Sequence, residues 1–315
     1  MPVEADAAWR GDEMESNPQR WLVSLTNAQL AELEAAARAT LDEGVPLGDV
    51  TAESFPLPTL GEDTEKWRDM LQSGTGVVCV KSLPVRRWGV ELSTYAYWGL
   101  GHHLGRPGAQ NPAGDLLGHV IDERIAADSA MVRKYRTADD IAFHCDAADV
   151  VGLLCLRTAA RGGQSRIASS VAAFNALLSE HPDLVAELFE PFDVDRRDEH
   201  EPHQAPTFNV TPCSWDGEVL RTFWHSDYMR SAERHATVSF TPKRRMLIDA
   251  FDRIVARSDM HLDMNLEEGD IQFISNHTVV HARTAYVDHD DPDERRHLLR
   301  LWLSLDPVES SIPTH

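Results

Sequence analysis

Residues 135–170 read YRTADDIAFHCDAADVVGLLCLRTAARGGQSRIASS, and the fold depends on how this stretch is read. A histidine (His144), one residue, and a carboxylate (Asp146) stand at the mouth of a long aliphatic run. A buried ionisable pair is costly unless something neutralises it. The pair is therefore either a satisfied structural hydrogen bond or part of a metal site. The run itself is β-branched and apolar and is closed by a Gly-Gly pair, so 140–158 and 164–169 read as strands.

Working outward, "GVVCVKSLP" (76–84) is a short β-branched run bounded by Gly and Pro. Further strand candidates are 117–123, 205–209, 217–224, 269–274, 277–284 and 297–305. Helical spacing appears in "SLTNAQLAELEAAARATLDEG", with Thr26 as N-cap and Gly44 as stop, and in "TEKWRDMLQSG", ending at Gly74. It returns in "RRWGVELSTYAYWGLGHHLG", "SSVAAFNALLSEHPDLVAELF" and "TPKRRMLIDAFDRIVAR". Residues 1–20 read as a loose or draped arm. Helices before and between many short strands indicate a mainly β protein with flanking helices, a sandwich or open barrel rather than a βαβ repeat.

The chain has 315 residues, 42% hydrophobic and 26% charged, with a net charge of -21. That acidity argues against a nucleic-acid or anionic-membrane partner. Only Lys66, Lys81, Lys134 and Lys243 are lysines, so the basic residues are nearly all arginine. The four cysteines, Cys79, Cys145, Cys155 and Cys213, form no CxxC pair and no disulfide framework. The first residues lack an apolar signal core, and no uninterrupted apolar window of membrane length occurs. The expectation is a cytoplasmic protein. No GxGxxG or P-loop pattern is present.

In a strand, residues i and i+2 share a face, so His144 and Asp146 point together and Cys145 points away. A later histidine would complete a face of two histidines and one carboxylate. Such a face suits ferrous iron because it leaves positions open for substrate and oxygen. The candidate is His281, after Val279-Val280 in "GDIQFISNHTVVHARTAY". His277, four residues earlier, would suit a helical zinc pair with it, but the segment is strand-like and lacks an HExxH order. Arg296 and Arg300, with Leu298 between them, share one face of the last strand. Buried arginines need anionic partners, and a guanidinium fork is suited to a carboxylate.

With these motifs, from "SGTGVVCVKSLPV" to "RRHLLRLWLSL", the sequence resembles the TauD/TfdA family of iron(II)- and 2-oxoglutarate-dependent dioxygenases, with a clavaminate-synthase-like flavour. The resemblance implies a double-stranded β-helix (jelly roll) as the fold class. It implies a catalytic unit over 73–308, an N-terminal arm and helices (1–72) packing on it, and a tail over 309–315. Carried over, it makes His144, Asp146 and His281 the Fe(II) ligands and Arg296 the residue that binds the distal carboxylate of 2-oxoglutarate. Ser165 would help to hold that carboxylate. Arg300 would contact an anionic group of the substrate, and Gln110 and Asn111 would lie in a pocket-edge loop. With O2 as oxidant, the implied reaction is hydroxylation of an unactivated C–H bond of a small, anionic organic molecule, releasing succinate and CO2. The carboxylate at Asp146 favours hydroxylation over halogenation; desaturation and ring formation use the same ligands. A zinc hydrolase and a non-catalytic jelly-roll binding protein are the alternatives, and homo-oligomers are common in the family.

Overall fold

The structure is a computed structural model that describes residues 1–111, 113–124, 136–199 and 203–305. The expected tail, 309–315, lies outside them. Two antiparallel sheets face each other as the two layers of a jelly roll. The larger sheet runs in the order Leu22–Ser24, Val77–Lys81, Ile271–Ser275, Val150–Arg157, His297–Ser304, Arg106–Pro107. Leu117–Val120 also pairs with His297–Ser304. Only its outermost pair, Leu22–Ser24 with Val77–Lys81, is parallel. The smaller sheet runs His261–Met264, Ser165–Ser169, Val279–Arg283, Ile141–His144.

The central strands of the larger sheet are apolar on both faces because both faces are covered. One face packs on the helices Asn27–Asp42, Leu60–Gln72 and Val85–Leu104, with Phe55, Tyr97, Leu154, Phe273 and Leu299 fully buried between them. The other meets the smaller sheet through Val77, Val151, Ile167, Leu262 and Ile274. The smaller sheet's outer side is covered by the helices Ser170–Glu180 and Pro242–Val255. Gly152 is required at the centre of its strand, where an added Cβ would lie 2.5 Å from the Tyr97 hydroxyl and 2.7 Å from the Phe273 ring.

Thr26 caps its helix as expected, its hydroxyl accepting from Gln29 N at 3.2 Å. Other elements differ from the sequence reading. Residues 1–20 are not a loose arm. Trp9 and Met14 are buried, and Trp9 Nε1 donates to Thr75 O at 2.7 Å. Burying side chains of this size contributes roughly 2–3 kcal/mol each, enough to fix a short segment that propensity alone would leave open. The helix expected over 169–189 ends at Glu180, before Pro182, and Val185–Phe189 is a separate 3-10 turn. Residues 217–224 form half of a hairpin, Cys213–Trp215 with Leu220–Thr222. The strands Phe192–Asp195 and His261–Met264 and the helix Ser226–Ala232 were not expected. They are short and partly polar, and their partners are distant in sequence.

The strand expected over 140–158 is two strands rather than one. Ile141–His144 belongs to the smaller sheet and Val150–Arg157 to the larger. At the crossing, Cys145 N donates to Trp224 O at 2.7 Å, and Asp146 N donates to Asn276 Oδ1 at 3.0 Å. These long-range bonds replace the ladder and carry the chain from one sheet to the other. His144 therefore closes a strand and Asp146 begins a turn.

Candidate metal centre and cavity

His144 and His281 are directly opposed in neighbouring antiparallel strands. Their rings are 4.2 Å apart between centroids. Asp146, two residues beyond the end of its strand, reaches both: Oδ1 is 3.7 Å from His144 Nε2 and Oδ2 is 3.7 Å from His281 Nε2. One donor atom from each of the three lies within 4.8 Å of the other two, and this is the one such group among the described residues. The shared face expected from strand periodicity is thus achieved through a turn.

Burial alone would raise the Asp146 carboxyl. Arg300, the two histidines and the Trp302 indole outweigh it and hold the group below the ordinary carboxylate range. Burial, reinforced by His144, pushes His281 down to about 3, so its imidazole is neutral with a lone pair to give. His144 Nδ1 bonds Ala142 O at 2.9 Å, which assigns the proton to Nδ1 and leaves Nε2 as an acceptor. The two imidazoles and an ionised carboxylate fit a divalent metal of the ferrous type. Cys145 is not part of the set. Its thiol is buried, and burial pushes it up to about 12. His277 is not part of it either: its Nε2 bonds Asp149 Oδ1 at 2.8 Å, and Asp149 Oδ2 accepts from Leu305 N.

The triad opens onto a cavity of about 180 Å³. Arg296, Leu298, Arg300 and Trp302 line it in strict alternation, as one face of a strand must. Arg296 precedes the strand, its amide held by Asp288 Oδ1 at 2.7 Å. Its side chain is buried, and burial lowers its pKa. Among the described residues its Nη1 has no hydrogen-bond partner. Gly163 makes room for this side chain. Its φ is +72°, and a Cβ there would lie 3.1 Å from Arg296 Nε. Ser165 also lines the cavity, its hydroxyl donating to Gln272 Oε1 at 3.0 Å.

Arg300 lies against the metal set. Its Nε donates to Gln110 Oε1 at 2.8 Å, and its Nη1 is 3.7 Å from Asp146 Oδ2. Gln110 is itself fixed by donating to Arg300 O at 2.7 Å. It is buried behind Arg300 and is not among the residues that line the cavity. Asn111 turns to Asp115 instead, donating from Nδ2 to Oδ2 at 2.8 Å, and the structure does not bring it to the cavity.

Sequence reasoning missed four cavity residues that matter. Trp302 Nε1 donates to Asp146 Oδ2 at 3.0 Å. His225 packs on His144 at 5.0 Å and is stacked by Tyr228 at 3.6 Å. Arg196 and Arg197 line the same space. The one local signal was for Trp302, which lies two residues beyond Arg300 on the same face.

A family model described as taurine catabolism dioxygenase TauD, TfdA family matches residues 43–302. FR-33289 synthase of Streptomyces rubellomurinus (strain ATCC 31215) is 28% identical over 321 residues, covering 100% of this chain and 94% of that protein. The taurine hydroxylase-like protein SAT17 of Stachybotrys chartarum is 25% identical over 316 residues, covering 98% of this chain and 81% of that protein. Asparagine oxygenase, solved with Fe(II), 2S,3S-3-hydroxyasparagine and succinate, superposes with a TM-score of 0.71 at 19% identity, over 90% of this chain and 93% of that one. The non-heme iron oxygenase OrfP, solved with Fe and alpha-ketoglutaric acid, gives 0.67 at 17% identity, over 90% and 93%. These superpositions identify the same fold.

Proposed function

Because the chain belongs to the taurine catabolism dioxygenase TauD/TfdA family, we propose that it is an iron(II)- and 2-oxoglutarate-dependent dioxygenase that hydroxylates a C–H bond of a small organic molecule. The observation that carries this reading is the juxtaposition, in one cavity, of the His144–Asp146–His281 set with a buried arginine, Arg296, whose Nη1 has no partner among the described residues. A zinc hydrolase would have no use for that arginine.

His144, Asp146 and His281 would hold the iron, each imidazole through Nε2 and Asp146 through its carboxylate. When bound, the iron supplies the site at which O2 and the keto acid react, coupling oxidative decarboxylation of 2-oxoglutarate to succinate and CO2 with insertion of one oxygen atom into the substrate. Arg296 binds the distal carboxylate through its guanidinium edge, and burial strengthens that pairing. The Ser165 hydroxyl turns from Gln272 to the same carboxylate. Trp302 and Arg300 both face Asp146 Oδ2 and would orient the carboxylate as a ligand. The apolar walls (Val151, Leu153, Leu266 and Leu298 among them) exclude water from the reacting groups. Four free, buried cysteines agree with a reducing, cytoplasmic setting.

The test is cosubstrate turnover. Reconstituted protein should convert 2-oxoglutarate to succinate with O2 uptake, dependent on iron(II), and His281→Ala should abolish the conversion. Succinate formed at equal rate without iron, or by His281→Ala, would overturn the proposal.

A further inference from the structure

We propose that Arg196 and Arg197 form an anion-binding subsite in the same cavity as Arg296, selecting an elongated substrate with an oxyanion head (carboxylate or phosphoryl). The inference rests on the dioxygenase reading above and names the substrate class of that site.

Both arginines follow the strand Phe192–Asp195, on a loop whose shape is built rather than relaxed. Arg197 and Asp198 have φ of +55° and +62°, in the left-handed region that non-glycine residues avoid. Asp195 holds this turn. Its Oδ1 accepts from Arg197 N at 2.9 Å, and its carboxylate is clamped by Arg234 at 2.7 and 3.1 Å. Arg234 also grips Asp198 at 2.7 Å. Strain that several ion pairs maintain is expected where it positions functional groups.

The loop sets each guanidinium on an aromatic ring. The Arg196 guanidinium carbon is 4.8 Å from the Phe208 ring centroid, and that of Arg197 is 5.0 Å from Tyr228. Stacking on Phe208 uses the face of the Arg196 guanidinium and leaves its N–H edge to meet an oxyanion. Arg196 Nε is buried and has no hydrogen-bond partner among the described residues. Tyr228 in turn stacks on His225, and His225 packs on His144. A chain of ring contacts thus runs from Arg197 through Tyr228 and His225 to His144. A substrate head at the arginines would be separated from His144 by those two rings.

Two further cavity cations are turned elsewhere: Arg300 is bonded to Gln110 and faces Asp146, and Arg283 Nη2 donates to Thr137 O at 2.8 Å. Asp195 is engaged by Arg234, and Glu199 and Asp227 line the same cavity, so a cationic probe is the natural counter-test.

The experiment is anaerobic titration of the iron(II)–2-oxoglutarate protein with hexanoate, monobutyl phosphate, hexanamide and hexylamine. It is read by perturbation of the visible charge-transfer band, with calorimetry on the same samples. At least one anion should bind saturably, and which one does separates a carboxylate from a phosphoryl head. Hexanamide and hexylamine should not bind. Arg196→Gln and Arg197→Gln should each weaken the anion about tenfold or more, with Arg196→Lys intermediate, all three retaining a cooperative unfolding transition. No saturable anion binding, tighter binding of hexylamine, or glutamine variants within about twofold of wild type would overturn the subsite. A missing band in wild type would count against the dioxygenase reading alone, because calorimetry on metal-free protein still tests the arginines.

Discussion

Replacing Trp302 by Phe removes a single hydrogen-bond donor from the metal site. The indole Nε1 donates to Asp146 Oδ2 at 3.0 Å, and both residues are about nine-tenths buried or more. Phe keeps a ring in the place where Trp302 lies 5.0 Å from the Arg300 guanidinium carbon, so the change falls mainly on the carboxylate. A hydrogen bond to a buried charge contributes about 2 kcal/mol. For a chain of this length that corresponds to a loss of about 4 °C in Tm for the metal-free protein. The larger effect is on iron. Without the indole, Oδ2 has Arg300 Nη1 and His281 Nε2 at 3.7 Å, neither within hydrogen-bond range, and the carboxylate is freer to rotate. Loss of a partner that orients a ligand should weaken metal affinity by about 10- to 100-fold. The assay is competition of iron(II) against a chelator for Trp302→Phe and wild type, beside thermal unfolding of both metal-free proteins. Equal iron affinity in the two would refute the claim that Trp302 orients Asp146. Reduced affinity with an unchanged metal-free Tm would show that the bond forms only around the metal.

Three further outcomes are expected. Arg296→Leu should retain iron but lose affinity for 2-oxoglutarate by about two orders of magnitude, since a buried charge pair is broken; a titration of the charge-transfer band measures both. His277→Ala should cost about 1–3 kcal/mol in urea unfolding, because Asp149 loses its partner, while iron binding persists; loss of iron binding with stability intact would make His277 a ligand instead. The Asp195 carboxyl is itself buried, yet Arg234, the Arg197 amide and His235 hold it below its usual range. A folded value below the unfolded one, about 3.9, contributes stability that is complete above that pH and is lost as pH falls through the folded value. Asp195→Asn should therefore flatten the acid limb of the stability profile, and an unaltered limb would remove Asp195 from that account.

The grouping of the candidate metal set was legible because local spacing and chain order carry it: His144 and Asp146 are two apart, and His281 follows an aliphatic pair in a β-rich segment. The reason given for the first pair was incomplete, however. Strand alternation does not bring Asp146 to His144. A crossing between sheets does, fixed by Trp224 and Asn276, 79 and 130 residues from their partners Cys145 and Asp146. The same kind of distance hid the rest. Gln110 was read as a rim residue, but it braces Arg300 from 190 residues away. His225 sits in "FWHSDYMRSAERH", which has no repeating pattern, and its place beside His144 comes from an isolated bridge between the two residues. Arg196 and Arg197 look like ordinary surface charges until the pairing of Phe192–Asp195 with Thr207–Val210 brings Phe208 beneath Arg196.

The central claim is that one cavity holds both iron and 2-oxoglutarate, through His144, Asp146, His281 and Arg296. The direct measurement is the visible absorption of metal-free protein titrated anaerobically with iron(II) and then 2-oxoglutarate, beside the double variant His144→Ala with Asp146→Ala. A weak charge-transfer band in wild type, absent from the variant, is the expected result. Absence of the band in wild type, with zinc retained tightly at the same residues, would contradict the account.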